Sequence, residues 1–334
     1  MRHAVSPPDL SSALPRPSRH LHWSHAIRDG VGVGLRTAIW LIAILVPTGF
    51  VVLVLSLLGL LDPLAALLDP VMGLAGLPGE AALVLATSAL VTIYPAIGIM
   101  TTVGLSGAQL AVMALMVLIC HNLFVETAIQ TRVGSHPIRI VLVRVLGAFA
   151  VAVVMARVLG LDTTLGSGRP FVLAIGLPSS SVFQRELIAW VSATGATVIR
   201  VIVVVILLMV GQRLLEYWGV LRALARGFGP VVAFFGLPRA TAFLWIVANT
   251  LGLTYGAAVI IEERAAGAVS RREADLLNHH LAVCHSLLED TLLFVALGVA
   301  PLVLIVPRLV LAFLLVWMMR LFARKSGETA EGKV

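Results

Sequence analysis

Two eight-residue stretches gather most of the chemistry in this chain: CHNLFVET at 120–127 and CHSLLEDT at 284–291. Each brings a thiol, an imidazole, an amide or hydroxyl and a carboxylate within about two helical turns. Read as helix, the four-residue spacing of His285 and Glu289, of Asn122 and Glu126, and of Ser286 and Asp290 puts each pair on one face. Thiolate, imidazole and carboxylate together suit a first-row transition metal such as Fe(II), Zn(II) or Mn(II). The metal-binding set is then His121, Glu126, His285, Glu289 and Asp290. A polar organic solute can instead hydrogen-bond to the same groups, so the wider binding set adds Cys120, Asn122, Cys284 and Ser286. Cysteines taken alone read as small core residues, and one His–acid pair can simply tie two helices together. Two related copies favour a site. His280, four residues before Cys284, is an accessory candidate, as are Tyr94, Tyr255 and Glu262.

These groups stand out because the surrounding chain is so apolar. Of 334 residues, 59% are hydrophobic and 12% charged, and the mean hydropathy is +1.02. A soluble globule needs about twice that share of charge, so a soluble enzyme, a nucleic-acid binder and a disordered scaffold are all excluded. The chain reads as an all-α polytopic membrane protein. Its net charge of +7 comes from arginines in the tails and between apolar runs, the pattern of topology signals. Ionised groups at bilayer depth cost roughly 2.5–3.5 kcal/mol each at a helix centre. Only Glu126, Glu289 and Asp290 among the carboxylates fall there. No phosphate-binding GxxxxGK[ST] loop, no HExxH and no GxSxG occurs. The expectation is a non-enzyme without a cofactor, apart from a transported or bound divalent ion.

Eight apolar stretches can serve as spans, near 37–61, 81–104, 108–131, 138–160, 189–211, 240–261, 276–298 and 301–322. Shorter Gly- and Pro-bearing pieces after the first and fifth read as interfacial helices. The sequence also repeats. A shift of 160 aligns Gly59, Pro70, Gly76, Leu77 and Pro78 with Gly219, Pro230, Gly236, Leu237 and Pro238. A shift of 164 aligns Cys120, His121, Thr127, Gly134, Pro137 and Arg144 with Cys284, His285, Thr291, Gly298, Pro301 and Arg308. The expected organisation is a flexible cytoplasmic tail 1–35, a first repeat 36–160, a linker 161–188, a second repeat 189–324 and a tail 325–334.

Charge gives the relative orientation of the copies. The connection 62–80 carries no Arg or Lys, whereas its counterpart 212–239 carries Arg213, Arg222, Arg226 and Arg239. Basic residues favour the cytoplasm, so the two repeats run upside down relative to one another. Four stretches per repeat then require one that enters and leaves on the same side. Segments 2 and 6, interrupted at IYPAIG (93–98) and LTYGAA (253–258), fit re-entrant hairpins, leaving three full spans per repeat. Both termini are then cytoplasmic, at the inner membrane of a cell. Arg144 and Arg308 are expected to snorkel to the interface, the alternative being a pairing with an acid or with phosphate headgroups.

The Gly-Leu-Pro turn after an interfacial helix, the broken apolar hairpin and the following HSLLEDT helix (285–291) resemble the Gate ("nucleoside recognition") domain family. That family is related to the membrane region of FeoB-type ferrous-iron permeases and to concentrative nucleoside transporters. The resemblance implies inverted repeats with re-entrant hairpins and transport of a metal ion or nucleoside. Together with the duplicated Cys-His…acid stretch it leads to a secondary transporter with a midplane site for a divalent transition-metal ion. A carrier of nucleosides or other small polar solutes is the second reading, and a non-transporting scaffold or partner subunit the third. The expected partners are the bilayer and a small solute or ion, with a homo-oligomer open and no nucleic acid.

Overall fold

The computed structural model describes residues 23–60, 62–163, 177–220, 224, 227–250 and 252–325. Among them there are helices and no strand, and the chain is an all-α polytopic membrane protein. In the first half lie α1 (Trp23–Leu57), α2 (Asp62–Gly73), α3 (Ala81–Leu90), α4 (Ile93–Met100), α5 (Gly107–Cys120), α6 (Leu123–Val133) and α7 (Pro137–Val158). In the second lie α8 (Ser180–Tyr217), α9 (Gly229–Phe234), α10 (Ala242–Thr250), α11 (Leu253–Ala265), α12 (Arg271–Val283), α13 (Glu289–Ala296) and α14 (Pro301–Lys325). Each helix has its counterpart seven places on. Helices α1, α7, α8 and α14 are long and apolar enough to cross a bilayer, and α5 with α6 makes a fifth candidate bent by 40°.

The duplication reaches individual hydrogen bonds. The turn after α2 closes through Gly76 N–H to Gly73 O and Leu77 N–H to Met72 O, and the turn after α9 through Gly236 N–H to Ala233 O and Leu237 N–H to Val232 O. Glycine is required at both, with φ of 65° and 77°. Capping boxes start α5 (Ser106 with Gln109) and α12 (Ser270 with Glu273), again 164 residues apart.

Packing fixes the relative sense of the copies. Equivalent helices α1 and α8 lie antiparallel, with Gly30 against Val210 and Gly34 against Ile206 at one end and Phe50 against Trp190 at the other. Under the repeat, the 30–210 contact is the mirror partner of 50–190. Such exchanged contacts define a two-fold axis perpendicular to the helices. Equivalent residues that touch each other lie on it: His121 with His285, ring centroids 5.2 Å apart, and Gly147 with Leu311. For helices that span a bilayer the axis lies in its plane, which is the inverted-repeat arrangement.

Three features differ from the sequence reading. Residues 23–35, expected as flexible tail, are the first turns of α1; Gly30 and Gly34 let the α8 backbone come close enough to hold them. Residues 1–22, part of the linker (164–176) and the tail beyond 325 lie outside the described residues. Segments 3 and 7, expected as continuous spans, are each broken at the Cys-His motif, and α12 buries Asn278, His279 and His280 against protein, where a lipid-facing span could not. In segments 2 and 6 the interruption falls earlier, between Leu90 and Ile93 and between Thr250 and Leu253, so that IYPAIG and LTYGAA open α4 and α11.

Helices α10 and α11 fold back on one another as the re-entrant reading requires. A Cβ on Gly256 would stand 2.7 Å from Ala248 Cβ and 2.9 Å from its Cα. Gly256→Ala is therefore expected to lower the thermal unfolding midpoint in detergent, by an amount equivalent to roughly 1–3 kcal/mol. Gly211→Ala, where nothing lies within 4 Å of the added carbon, should leave it unchanged or raised. Equal midpoints for the two variants would refute the close hairpin.

Candidate functional site

The two chemical stretches are where helices stop. Helix α5 ends at Cys120, His121 is extended, Asn122 is left-handed (φ 48°), and α6 begins at Leu123. In the second copy Ser286 is left-handed (φ 47°) and α13 begins at Glu289. Asn122 and Ser286 are the two non-glycine residues with positive φ among the described residues. Such backbone costs of order 1–3 kcal/mol and persists only where its surroundings hold it. Here the amides do: Asn122 N–H donates to Ser88 O at 2.7 Å, and Ser286 N–H to Ala248 O at 3.3 Å.

A break inside an apolar bundle strands the last carbonyls of α5 and α12. Two arginines answer them. Arg144, from α7, donates through Nε to Ile119 O (2.8 Å) and through Nη2 to His121 O (2.6 Å). Arg308, from α14, donates through Nε to Val283 O (3.4 Å) and through Nη2 to His285 O. Both side chains are fully buried, which overturns the expected snorkelling. The reason is that carbonyls left by the break, and not lipid headgroups, offer the nearest acceptors. Arg144 also pairs with Glu126 (Nη1 to Oε2, 2.8 Å), while Arg308 Nη1 reaches only the Thr291 hydroxyl (3.4 Å).

Each broken strand presents its histidine in the same way. His121 Nδ1 lies 3.0 Å from Val117 O and His285 Nδ1 2.7 Å from Leu281 O. A carbonyl only accepts, so Nδ1 carries the proton and Nε2 faces the axis. There His121 Nε2 is 3.0 Å from Glu126 Oε1 and 3.6 Å from Asp290 Oδ2, and His285 Nε2 is 3.3 Å from Glu126 Oε2. Ligand atoms of His121, Glu126 and His285 all fall within 4.8 Å of one another. That is close to the span of two opposed metal–ligand bonds of roughly 2.1 Å each.

A cavity of about 200 Å³ surrounds this cluster. Of the predicted residues, His121, Asn122, Glu126, His285, Ser286, Glu289, Asp290 and Tyr94 line it. Cys120 and Cys284 do not; both are free thiols packed in the apolar core. His280 lies elsewhere, accepting from Trp245 Nε1 at 2.8 Å and edged by Phe235. Glu262 is exposed at the end of α11, and the side chain of Tyr255 lies outside the described residues. Thr92, Ile93, Gly252 and Leu253 complete the lining. Ile93 and Leu253 were legible only as the first residues of the interruptions IYPAIG and LTYGAA, and Arg144 and Arg308 only as a repeated pair. The carboxylates stand in the first turns of α6 and α13, where the positive helix end favours negative charge.

The copies are not equal. The repeat places Val125 opposite Glu289, yet Val125 is exposed on the outside of α6 while Glu289 reaches the cavity. Helix α13 starts two residues later than the shift of 164 would put it, and the longer connection swings Glu289 inward.

The chain is 29% identical over 304 residues to an uncharacterized membrane protein, YvoD, of Bacillus subtilis (strain 168), a match that covers 91% of this chain and 97% of that one. No family model matches the chain, and no solved structure matches it. The likeness supports a membrane protein and carries no link to the Gate-domain family or to FeoB-type permeases.

Arg144→Ala strands a buried carboxylate together with two carbonyls, whereas Arg308→Ala strands carbonyls and a hydroxyl. The first is expected to cost about 3–5 kcal/mol and the second less. Adding Glu126→Gln to Arg144→Ala should recover part of the loss. Denaturation of the detergent-solubilised variants measures all three, and an equal cost for the two arginines would contradict the assignment.

Proposed function

We propose that this chain is a secondary transporter of the inner membrane, with both termini cytoplasmic, that binds a divalent transition-metal ion at its two-fold axis. One observation carries the reading: two symmetry-related imidazoles, each with Nδ1 committed to a backbone carbonyl, aim Nε2 at one shared carboxylate. His285 Nε2 and Glu126 Oε2 approach to 3.3 Å without the alignment of a hydrogen bond. Arg144 already pairs with this oxygen at 2.8 Å. A proton or a metal shared with His285 Nε2 would relieve the remaining lone-pair contact, and fixing Nδ1 through its own hydrogen bond is how proteins orient a ligating histidine. Asp290 and Glu289 extend the donor set from one side.

The same arrangement supplies a coupling device. Metal and protons compete for the imidazoles and carboxylates, so loading the ion releases protons and unloading takes them up. The third reading, a scaffold, requires polar stretches packed shut against one another, which a cavity does not suit. The second reading, a small polar solute, has one observation in its favour. The cavity of about 200 Å³ exceeds the roughly 30 Å³ that a water occupies in the liquid, so an ion would enter with part of its hydration or beside a second solute.

Calorimetric titration of the purified protein with Zn(II), Mn(II) or Fe(II) is expected to show one saturable site. His121→Ala with His285→Ala should weaken it more than about 100-fold, beyond what loss of an outer partner alone costs. Uptake of the same ion into proteoliposomes should fall in parallel and be unchanged by nucleosides. Full metal uptake in the His285→Ala, Asp290→Asn variant, or uridine uptake indifferent to metal, would sink the proposal.

A further inference from the structure

Outside the axial cavity, the start of α7, the start of α12 and the end of α14 surround an open basin of about 990 Å³. Its charged lining is Arg139, Arg271, Arg272, Arg320 and Asp275, four guanidiniums to one carboxylate. Two of the arginines are held in place. Arg139 pairs with Asp275 at 2.9 Å. Arg320 donates to Gly236 O at 2.7 Å and lies over the Trp317 ring. Adjoining the basin, an apolar groove of about 510 Å³ runs between α7 and α14, along Leu142, Leu146, Ala150, Leu315 and Met318. His136 and Arg139 line both spaces, so the basic basin opens into the groove. Leu142, Leu146 and Met318 are exposed along it.

The duplication provides an internal control. Shifting by 164 carries the basin to the opposite end of the fold. There Arg139, Arg271, Arg272, Arg320 and Asp275 are replaced by Val303, Gly107, Ala108, Ala156 and Ala111. None of the five equivalent positions carries a charge, so the arginines are not needed to build this corner. A topology signal needs basic residues near the membrane surface. It does not need them gathered round one opening that continues as an apolar track.

We propose that basin and groove together bind one phospholipid with an anionic headgroup, its phosphate among the arginines and an acyl chain along α7 and α14. Basic pockets between membrane helices suit such headgroups, and guanidinium forks match phosphate oxygens. The site is separate from the axial cavity and stands whatever that cavity carries.

Native mass spectrometry of the full chain in detergent tests this, with phosphatidylglycerol, phosphatidylcholine and inorganic phosphate as probes. One phosphatidylglycerol should bind per chain, about tenfold or more tighter than phosphatidylcholine. Arg139→Gln with Arg271→Gln should weaken it about thirtyfold, and the corresponding double lysine variant should restore most of the loss. Ala150→Trp, which fills the groove, should weaken lipid without altering phosphate. Equal affinity for the two lipids overturns the proposal, as does inorganic phosphate binding as tightly as phosphatidylglycerol. Should the double glutamine variant fail to fold by circular dichroism, Ala150→Trp decides: unaltered phosphatidylglycerol binding refutes the site.

Discussion

A guanidinium donating to the carbonyls of an interrupted helix is the interaction on which the centre of this protein rests. Breaking a helix within an apolar bundle leaves carbonyl groups that neither water nor lipid can satisfy, at several kcal/mol each. Arg144 and Arg308 cross from the next helix of their own repeat to take them up. With the carbonyls satisfied, the chain can turn through a left-handed residue and start a new helix in a different direction. Removing the breaks would give continuous helices whose histidines and acids faced several directions. With the breaks, those groups turn towards one point.

The second constraint is the axis. Antiparallel packing of α1 on α8 gives every contact between the copies an exchanged twin, and residues on the axis meet their own equivalents. That is why a stretch with one imidazole and one buried acid becomes a cluster of two imidazoles and two acids, to which Glu289, opposite Val125 in the repeat, adds a third. The arrangement is only approximately symmetric. Arg144 holds Glu126 by an ion pair, Arg308 has a hydroxyl, and Glu289 has no acidic counterpart. Asymmetry at an otherwise two-fold centre gives Glu126 an arginine partner that Glu289 and Asp290 lack among the described residues, although all three carboxylates face the cavity.

Much of this was readable in the residues, and for physical reasons. Charge is so costly in an apolar chain that Glu126, Glu289 and Asp290 announced themselves, and His121 with His285 followed from the repeat. The asymmetry of basic residues gave the opposed sense of the copies, which depends on counting alone. The helix breaks at Cys120–Asn122 and Cys284–Leu288 were hidden. No proline or glycine marks them, and their stabilisation comes from arginines 25 residues further on, a tertiary effect with no local signature. For the same reason the arginines read as interfacial anchors. The cysteines misled in the other direction. Adjacency to histidine suggested a shared role, but the turn that aims the imidazole at the cavity sends the thiol into the core.

The contact between Gly147 and Leu311 has a consequence for how such a molecule can be assembled. The two positions are equivalent and touch across the axis, with 3.0 Å between Leu311 Cδ2 and the place of a Gly147 Cβ. A dimer of identical single-repeat subunits would have to carry the same residue at both. Two leucines would collide at this separation, and two glycines would leave a hole. The knob and the hollow that fit here are different residues at one position, a pairing closed to any homodimer and open once the two copies can diverge, as they have within this chain.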